Sequence, residues 1–449
     1  MEFKIDKDFI HQLEEHIVNK NDNELEVLLN DLHHADIAEI LDELDFDEAT
    51  YIFKVLDSDK TAEILLELEE DLRENILSRL SPKEIAEELD ELETNDAADI
   101  IAELSQEIKA EVISEILDVE HAKDIVDLLR YDENTAGGLM GKELVKVNEN
   151  WNVLTCVKEM RIQAENVSRV HSIYVVDDEN RLKGRLSLKD LLTSSTKTQI
   201  GEVYIRKLNF VNVDTEDVEV ARIMQKYDLE AIPVVDELGR LVGRITIDDI
   251  VDVIKEEADK DYQLAAGITQ DVESNDSVYE LTKARLPWLL IGMVIEIVAS
   301  FVLKGNEATF QKYSTLIIFV PLLSATAGNI GVQASAIVVQ GLANGTLKEF
   351  SRGYFTKEIT VSMISGSIIS LLLLGYHSVM YQQYLVGFAI SISMIVVILF
   401  AATLGTLVPL FLNKNKIDPA IATGPFITTT NDVFGIMLYF GVANLILGF

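Results

Sequence analysis

Five apolar runs crowd the last third of the chain, at about 286–303, 314–342, 358–380, 385–412 and 419–448. The shortest, 286–303, has 18 residues. At about 1.5 Å per residue it reaches roughly 27 Å, close to the hydrocarbon thickness of a bilayer. All five can span, and a span in lipid must satisfy its own backbone, so the sequence predicts five transmembrane helices over residues 284–449. Residues 1–283 are left to fold in water.

Charge follows the same division. Of 76 acids and 38 bases, residues 284–449 hold 6 acids and 8 bases, leaving 70 acids and 30 bases upstream. A soluble portion near −40 repels nucleic-acid phosphate and gathers counter-cations, divalent ions most where carboxylates converge. The single cysteine, Cys156, excludes an internal disulfide framework and reads as a small buried side chain. The opening MEFKIDKDF contains no apolar run, so no signal peptide is expected and the first 283 residues are expected in the cytosol. The connectors then alternate. Lys283, Arg285, Lys348, Arg352, Lys357, Lys414 and Lys416 fall inside, only Lys304 and Lys312 fall outside, and the C-terminus faces outward.

The soluble portion is built from repeats. IAEIL (37–41), TAEIL (61–65), IAEEL (85–89) and KAEVI (109–113) recur every 24 residues. Each carries an apolar stripe, as in Ile37, Ile40, Leu41 and Leu44, that one helix cannot bury alone, so stacked helices are predicted over residues 1–130. Glu63, Glu88, Asp90, Glu91, Asp96 and Asp99 are carboxylates such an array would present, either as ion ligands shared with the next domain or as solvated helix faces. A second repeat follows at an offset of 59, where SIYVVDDENRLKGRLSLKDL (172–191) matches AIPVVDELGRLVGRITIDDI (231–250). Each copy reads as strand, turn, strand and helix.

These copies, 138–199 and 200–256, resemble a tandem CBS pair. In that family Ser/Thr-x-x-Asp after the second strand holds an adenine nucleotide such as ATP, hydroxyl to phosphate and Asp to ribose. Ser187 with Asp190 and Thr246 with Asp249 have the pattern, which also makes a helix capping box, the reading favoured here. The helix from Asp248 then carries Asp249, Asp252, Glu256, Glu257, Asp259 and Asp261, a density that repels itself unless cations intervene.

Within the spans acids are scarce. Asp432 lies inside DPAIATGPFITTTNDVFG (418–435). An unpaired carboxylate there would cost at least about 2.5 kcal/mol, and no intramembrane Lys or Arg neutralises it, which leaves a permeating cation as counter-charge. Thr428, Thr429 and Thr430 supply hydroxyls, and Pro425 is expected to free a backbone carbonyl, giving oxygen ligands suited to a hard cation. In PLLSATAGNIGVQ (321–333), Gly328 and Gly331 permit close helix approach. Asn329 and Gln333 share a face, either as oxygen donors or as interhelical hydrogen-bonding groups. Glu296 in the first span is a second pore acid, a helix contact or a protonated carboxyl.

With Pro321, Gly328-Asn329-Ile330-Gly331-Val332-Gln333, Asp418-Pro419-Ala420, Gly424-Pro425, Asp432 and Gly435 together, the whole chain resembles the MgtE family of Mg²⁺ channels and transporters. The resemblance implies a multidomain fold: an all-α helical-repeat N domain (1–130), an α+β tandem CBS pair, a plug helix (248–283) and a five-helix α transmembrane domain (284–449). It implies a homodimer in the plasma membrane importing Mg²⁺ through a pore lined by the second and fifth spans. Asp432 would hold the hydrated ion there, with Asn329 and Thr428 nearby. Cytosolic Mg²⁺ would close the pore through Glu63, Asp96, Asp99, Asp228, Asp249, Asp252, Glu257 and Asp261. Asn95 stands where some relatives have an acid, Ala327 replaces a common Gly, and Glu296 has no place in the family pattern. Two other readings are a transporter of another divalent ion such as Co²⁺ or Mn²⁺, and a membrane-anchored CBS sensor without transport. Nothing in the sequence pairs a nucleophile with a base or forms a phosphate loop, so no enzymatic activity is expected.

Overall fold

The structure, a computed structural model, describes all residues except 1–4, 6, 168, 271, 273–275, 348–350, 423 and 449. Lys348, counted above among the inner bases, lies outside the described residues. Two compact units emerge, Met1–Ile254 and Lys255–Phe449.

The first unit opens with short helices: α1 (Lys7–Val18), α2 (Asp22–Asn30), α3 (His34–Asp42), α4 (Phe46–Val55), α5 (Ser58–Glu67), α6 (Glu70–Arg79), α7 (Pro82–Leu89), α8 (Thr94–Glu103), α9 (Gln106–Glu115) and α10 (Val119–Leu128). The 24-residue period is therefore two helices, with the recurring pentapeptide on α3, α5, α7 and α9. Each of these packs on the next. Their stripes are buried as the spacing requires, with Ile37, Ile40, Leu41, Ile64, Leu65, Ile85 and Leu89 enclosed. In α9 only Val112 is buried, and α10 follows, packing on α8 with Ile125 and Leu128 buried. Local sequence starts the helices: Asp45 and Glu48 form a capping box at α4, as do Ser81 and Glu84 at α7, where Pro82 takes a first-turn position.

After α11 (Ala136–Leu139) come the two related copies. The first has β1 (Val145–Asn148), α12 (Val153–Gln163), β2 (Ile173–Val176), β3 (Leu182–Leu186) and α13 (Leu188–Thr193). The second follows α14 (Ile200–Val203) with β4 (Val211–Asn212), α15 (Asp217–Tyr227), β5 (Ala231–Val235), β6 (Leu241–Thr246) and α16 (Ile247–Ala266). Each forms a three-stranded sheet in which the first pair is parallel and the second antiparallel. The repeated aspartates make the turns. Asp177 Oδ1 accepts the amides of Glu179 and Arg181, and Asp236 Oδ1 accepts those of Leu238 and Arg240. Asn180 and Gly239, at equivalent positions, both take positive φ, 61° and 76°. The turns also pair with each other: Leu182 N donates to Gly239 O at 3.0 Å and Leu241 N to Asn180 O at 2.9 Å. Equivalent residues thus meet across a local pseudo-two-fold. One apolar core runs from the helical stack into the second copy, through Met140, Val220, Ile232, Ile245 and Ile250.

Among the described residues of the second unit, five helices are long and apolar enough to cross a membrane. They are α17 (Val278–Gly305), the pair α18 (Glu307–Lys312) and α19 (Thr315–Ile318) leading into α20 (Val320–Ala343), then α21 (Arg352–Met380), α22 (Tyr384–Lys414) and α23 (Pro425–Leu447). α22 is central, with 61% of its most apolar window buried, and α17 is peripheral, with 6%. Small residues set the spacing. A Cβ on Gly405 would lie 2.3 Å from Gly331 O, so α20 and α22 touch backbone to backbone there. Three boundaries depart from the sequence reading, one of them the start of the third span, six residues early at Arg352. The first span begins eight residues early because Ser277 and Glu280 form a capping box that starts the helix ahead of the apolar run. The fifth begins at Pro425, after a 3₁₀ turn at Pro419–Ala422.

Candidate cation-binding sites

Among the described residues, three of the acid groups contain predicted ligands, one in the spans and one in the soluble part of each unit. In the spans, Asp432 is half-buried on α23, and its carboxyl meets that of Glu296 from α17. Helix packing creates this contact. A Cβ on Gly292 would lie 3.7 Å from the Thr429 methyl. Glu296 and Asp432 stand about one turn further along the two helices. Sequence reasoning left Glu296 without a partner. The missed signal was depth, since both scarce acids lie near the middle of spans predicted to run in the same direction.

The oxygen donors around Asp432 differ from expectation. Pro425 occupies the first turn of α23, where its missing N–H deprives no carbonyl of a partner, so it frees none. Thr429 Oγ1 donates to Pro425 O at 2.7 Å, and Thr428 Oγ1 donates to the same carbonyl at 3.0 Å. These hydroxyls spend their protons on their own helix and keep lone pairs. On α20, Gly328 backs onto Thr428, and Gly331 onto Ile427 and Asn431. Asn431, fully buried, donates from Nδ2 to Ala327 O at 3.4 Å. Asn329 and Gln333 instead lie exposed on another face of α20.

The second group joins the helical stack to the second CBS-like copy. Arg244, 3% exposed, sends Nη2 to both oxygens of Glu93 at 2.9 and 3.1 Å. Glu143 accepts Thr94 N at 2.9 Å and Thr94 Oγ1 at 3.1 Å. These contacts seat the start of α8 and bring Asn95, Asp96 and Asp249 together. Asn95 Nδ2 donates to Asp96 Oδ1 and to Asp249 Oδ1, each at 3.0 Å. Burial pushes Asp96 up to about 8, with Asp249, Glu93 and Asp99 adding to the rise. Asp249 rises to about 6, again through burial first, against the lowering effect of its Thr246 hydrogen bonds. Asp99 rises to about 7, enclosure of its carboxyl leading and Glu133 and Asp249 contributing. The residue as a whole stays exposed on α8.

Glu63 is exposed on α5, and Asp228 is exposed at the left-handed end of α15 with φ 50°. Neither is among the charges acting most strongly on Asp96, Asp99 or Asp249. Asp252 is exposed one turn beyond Asp249 on α16. The third group lies in the second unit. Asp261 is raised to about 6 by burial, then by Asp418 and Glu257, and Glu257 also pairs with Lys260 at 3.6 Å. Among the described residues no three His, Cys, Asp or Glu side chains converge tightly enough to hold a metal ion. The acids approach one another without closing into a cage.

The two Ser/Thr-x-x-Asp motifs part company. Thr246 N and Oγ1 donate to Asp249 Oδ2 at 2.8 and 2.7 Å, so capping holds in the second copy. A cavity of about 410 Å³ beside it is lined by Glu93, Arg169, His171, Arg244 and Asp248, with Arg244 already neutralised by Glu93. In the first copy Ser187 stands at the N-cap of α13 without a side-chain cap bond. The capping reading is corrected there: that Ser–Asp pair is not closed on itself.

Comparison with known proteins agrees with this division of the chain. The family described as MgtE, divalent cation transporter, matches residues 320–442, the MgtE intracellular N domain matches 32–134, and the CBS domain matches 136–197 and 200–256. The magnesium transporter MgtE of Thermus thermophilus is 36% identical over 74% of this chain and 74% of its own length. That of Enterococcus faecalis is 33% identical over 73% and 72%. A crystal structure of the cytosolic domain of the Mg²⁺ channel MgtE in complex with ATP is similar with a TM-score of 0.50 and 35% identity, covering 54% of this chain and 99% of that one.

Proposed function

This chain belongs to the MgtE family of divalent cation transporters, and we propose that it is a Mg²⁺ channel of the plasma membrane, importing the ion and closed by cytosolic Mg²⁺. The observation that carries permeation is Asp432, a half-buried carboxylate in the third turn of α23, in spans whose sequence offers no basic residue at that depth. Mg²⁺ dehydrates reluctantly, so the carboxylate would act largely through the ion's water shell, with Thr428 and Asn329 as further oxygens. The polar face of α20 bearing Asn329 and Gln333 is open in the single chain. Facing lipid it would be costly, which supports a homodimer whose second copy completes an aqueous path between α20 and α23. The C-terminus would then face outward.

Closure follows from the acids on either side of α16. Asp96, Asp99 and Asp249 crowd one end of this helix in the first unit, with Asp252 a turn away. Glu257, Asp261 and Asp418 crowd its far end in the second unit. Without ions, repulsion and burial loosen both groups; divalent ions relieve it and hold α16 in place. Glu63 and Asp228, exposed in this arrangement, would join only as the surfaces close. The open Ser187 and Asp190 pair supports adenine nucleotide binding, with ATP as ligand, at the first CBS copy.

Reconstituted protein tests the permeation reading. Asp432→Asn should abolish Mg²⁺ flux into liposomes while leaving the chain folded. Undiminished flux would leave the non-transporting sensor as the better account, and larger Co²⁺ or Mn²⁺ flux than Mg²⁺ flux would reassign the ion.

A further inference from the structure

We infer that Glu296 is a second carboxylate of the permeation site and sets its preference for divalent over monovalent cations. The inference rests on the permeation reading of Asp432 and adds a residue from a different span.

Two carboxyl groups from different helices meet in the middle of the membrane unit. Such a meeting is expensive unless a positive charge is shared between them. The spans packed against α23 offer no resident one: α20 has no basic residue, α22 has only Lys414 at its last position, and α17 has Lys283 and Arg285 near its start and Lys304 near its end. Glu296 also lies on the least buried of the five helices, where an acid turned toward lipid would be selected against. Its contact with Asp432 directs it toward α23 instead, about one turn beyond the point where Gly292 and Thr429 bring the two helices within van der Waals reach.

Charge balance supplies the selectivity. In the proposed homodimer the two Asp432 carboxylates by themselves match one divalent ion, and the two Glu296 carboxylates add negative charge that a doubly charged ion offsets more fully than a singly charged one. Coulomb attraction to the pair is twice as large for a divalent as for a monovalent ion at equal distance. A monovalent ion leaves more of that negative charge uncompensated. Glu296 thus weights the site toward double charge, acting through the ion's water shell as Asp432 does.

The test compares the full-length wild type with Glu296→Gln, Glu296→Asp and Asp432→Asn in planar bilayers, with Mg²⁺ on one side and Na⁺ on the other. Glu296→Gln should raise the half-saturating Mg²⁺ concentration by about tenfold or more, in line with loss of a supporting charge at a metal site. Its reversal potential should shift toward that of Na⁺. Glu296→Asp should stay close to wild type. Mg²⁺ protection of the 244–283 connector from protease should be unchanged in both, which shows that the chain is folded and its cytosolic sites intact. If Glu296→Gln keeps wild-type selectivity and half-saturation while Asp432→Asn is silent, this inference fails and the permeation site stands. If Asp432→Asn also conducts normally, the permeation reading itself fails. If Glu296→Gln and Glu296→Asp are equally impaired, the residue acts by shape and not by charge, and the inference is overturned.

Discussion

Asp96→Asn should make the chain more stable without divalent ions and largely blind to Mg²⁺. Asp96 moves from 3.8 to about 8 on folding, burial being the main cause and Asp249 the largest charge beside it. The folded state therefore binds more protons than the unfolded state between those values, and stability falls as pH rises through that window. At about 1.4 kcal/mol per pH unit, the full effect at pH 7.5 would be about 5 kcal/mol. Asp249 and Glu93 help to raise the value, so removing one member of the set should return about 2–3 kcal/mol. Asparagine keeps the oxygen that accepts from Asn95 Nδ2, so the hydrogen bond at 3.0 Å survives the exchange. The assay is thermal unfolding of the full chain in detergent, at pH 5.5 and 7.5, with chelator or with millimolar Mg²⁺. In chelator the variant should melt above the wild type at pH 7.5, with the gap narrowing at pH 5.5. Mg²⁺ should stabilise the wild type by mass action and the variant much less. A variant that is no more stable at pH 7.5 in chelator, or that gains as much from Mg²⁺ as the wild type, would refute the account of this group.

Further outcomes follow from the same geometry. Gly405→Ala places a Cβ 2.3 Å from Gly331 O; α20 and α22 must separate, with a loss of about 1–3 kcal/mol and of transport, read from detergent unfolding and liposome flux. Asp190→Ala should abolish binding of a fluorescent ATP analogue to the full chain, whereas Thr246→Val should spare it; the reverse pattern would move the nucleotide to the second copy. Joint Asp249→Asn and Asp252→Asn replacement should weaken Mg²⁺ protection of the 244–283 connector from protease, and equal cleavage with and without Mg²⁺ in the wild type would contradict ion-held closure.

Most of the architecture was legible because it rests on periodicity. The 24-residue recurrence made α3, α5, α7 and α9 visible because an apolar stripe must find a neighbour. The 59-residue recurrence exposed the paired sheets, and Asp177 and Asp236 even marked their turns, since an Asx turn depends only on local chain. Apolar length gave the five spans. Two of the misjudged boundaries were local as well: Ser277 with Glu280 starts α17, and Pro425 opens α23, signals that apolar length overrode.

The sites were less legible, since they depend on which residues from distant stretches meet. Sequence alone determined that Asp432 is a scarce acid in an apolar span, that the soluble portion is densely acidic, and that both CBS copies carry the Ser/Thr-x-x-Asp pattern. Only the tertiary structure decided that Glu296 faces Asp432 and that Asn95 bridges Asp96 and Asp249. The reason is range. A helix or turn is settled by residues a few positions apart, whereas the charge felt by a carboxylate is settled by packing across hundreds of residues, through small side chains such as Gly292 and Gly331 whose spacing reveals nothing of their partners.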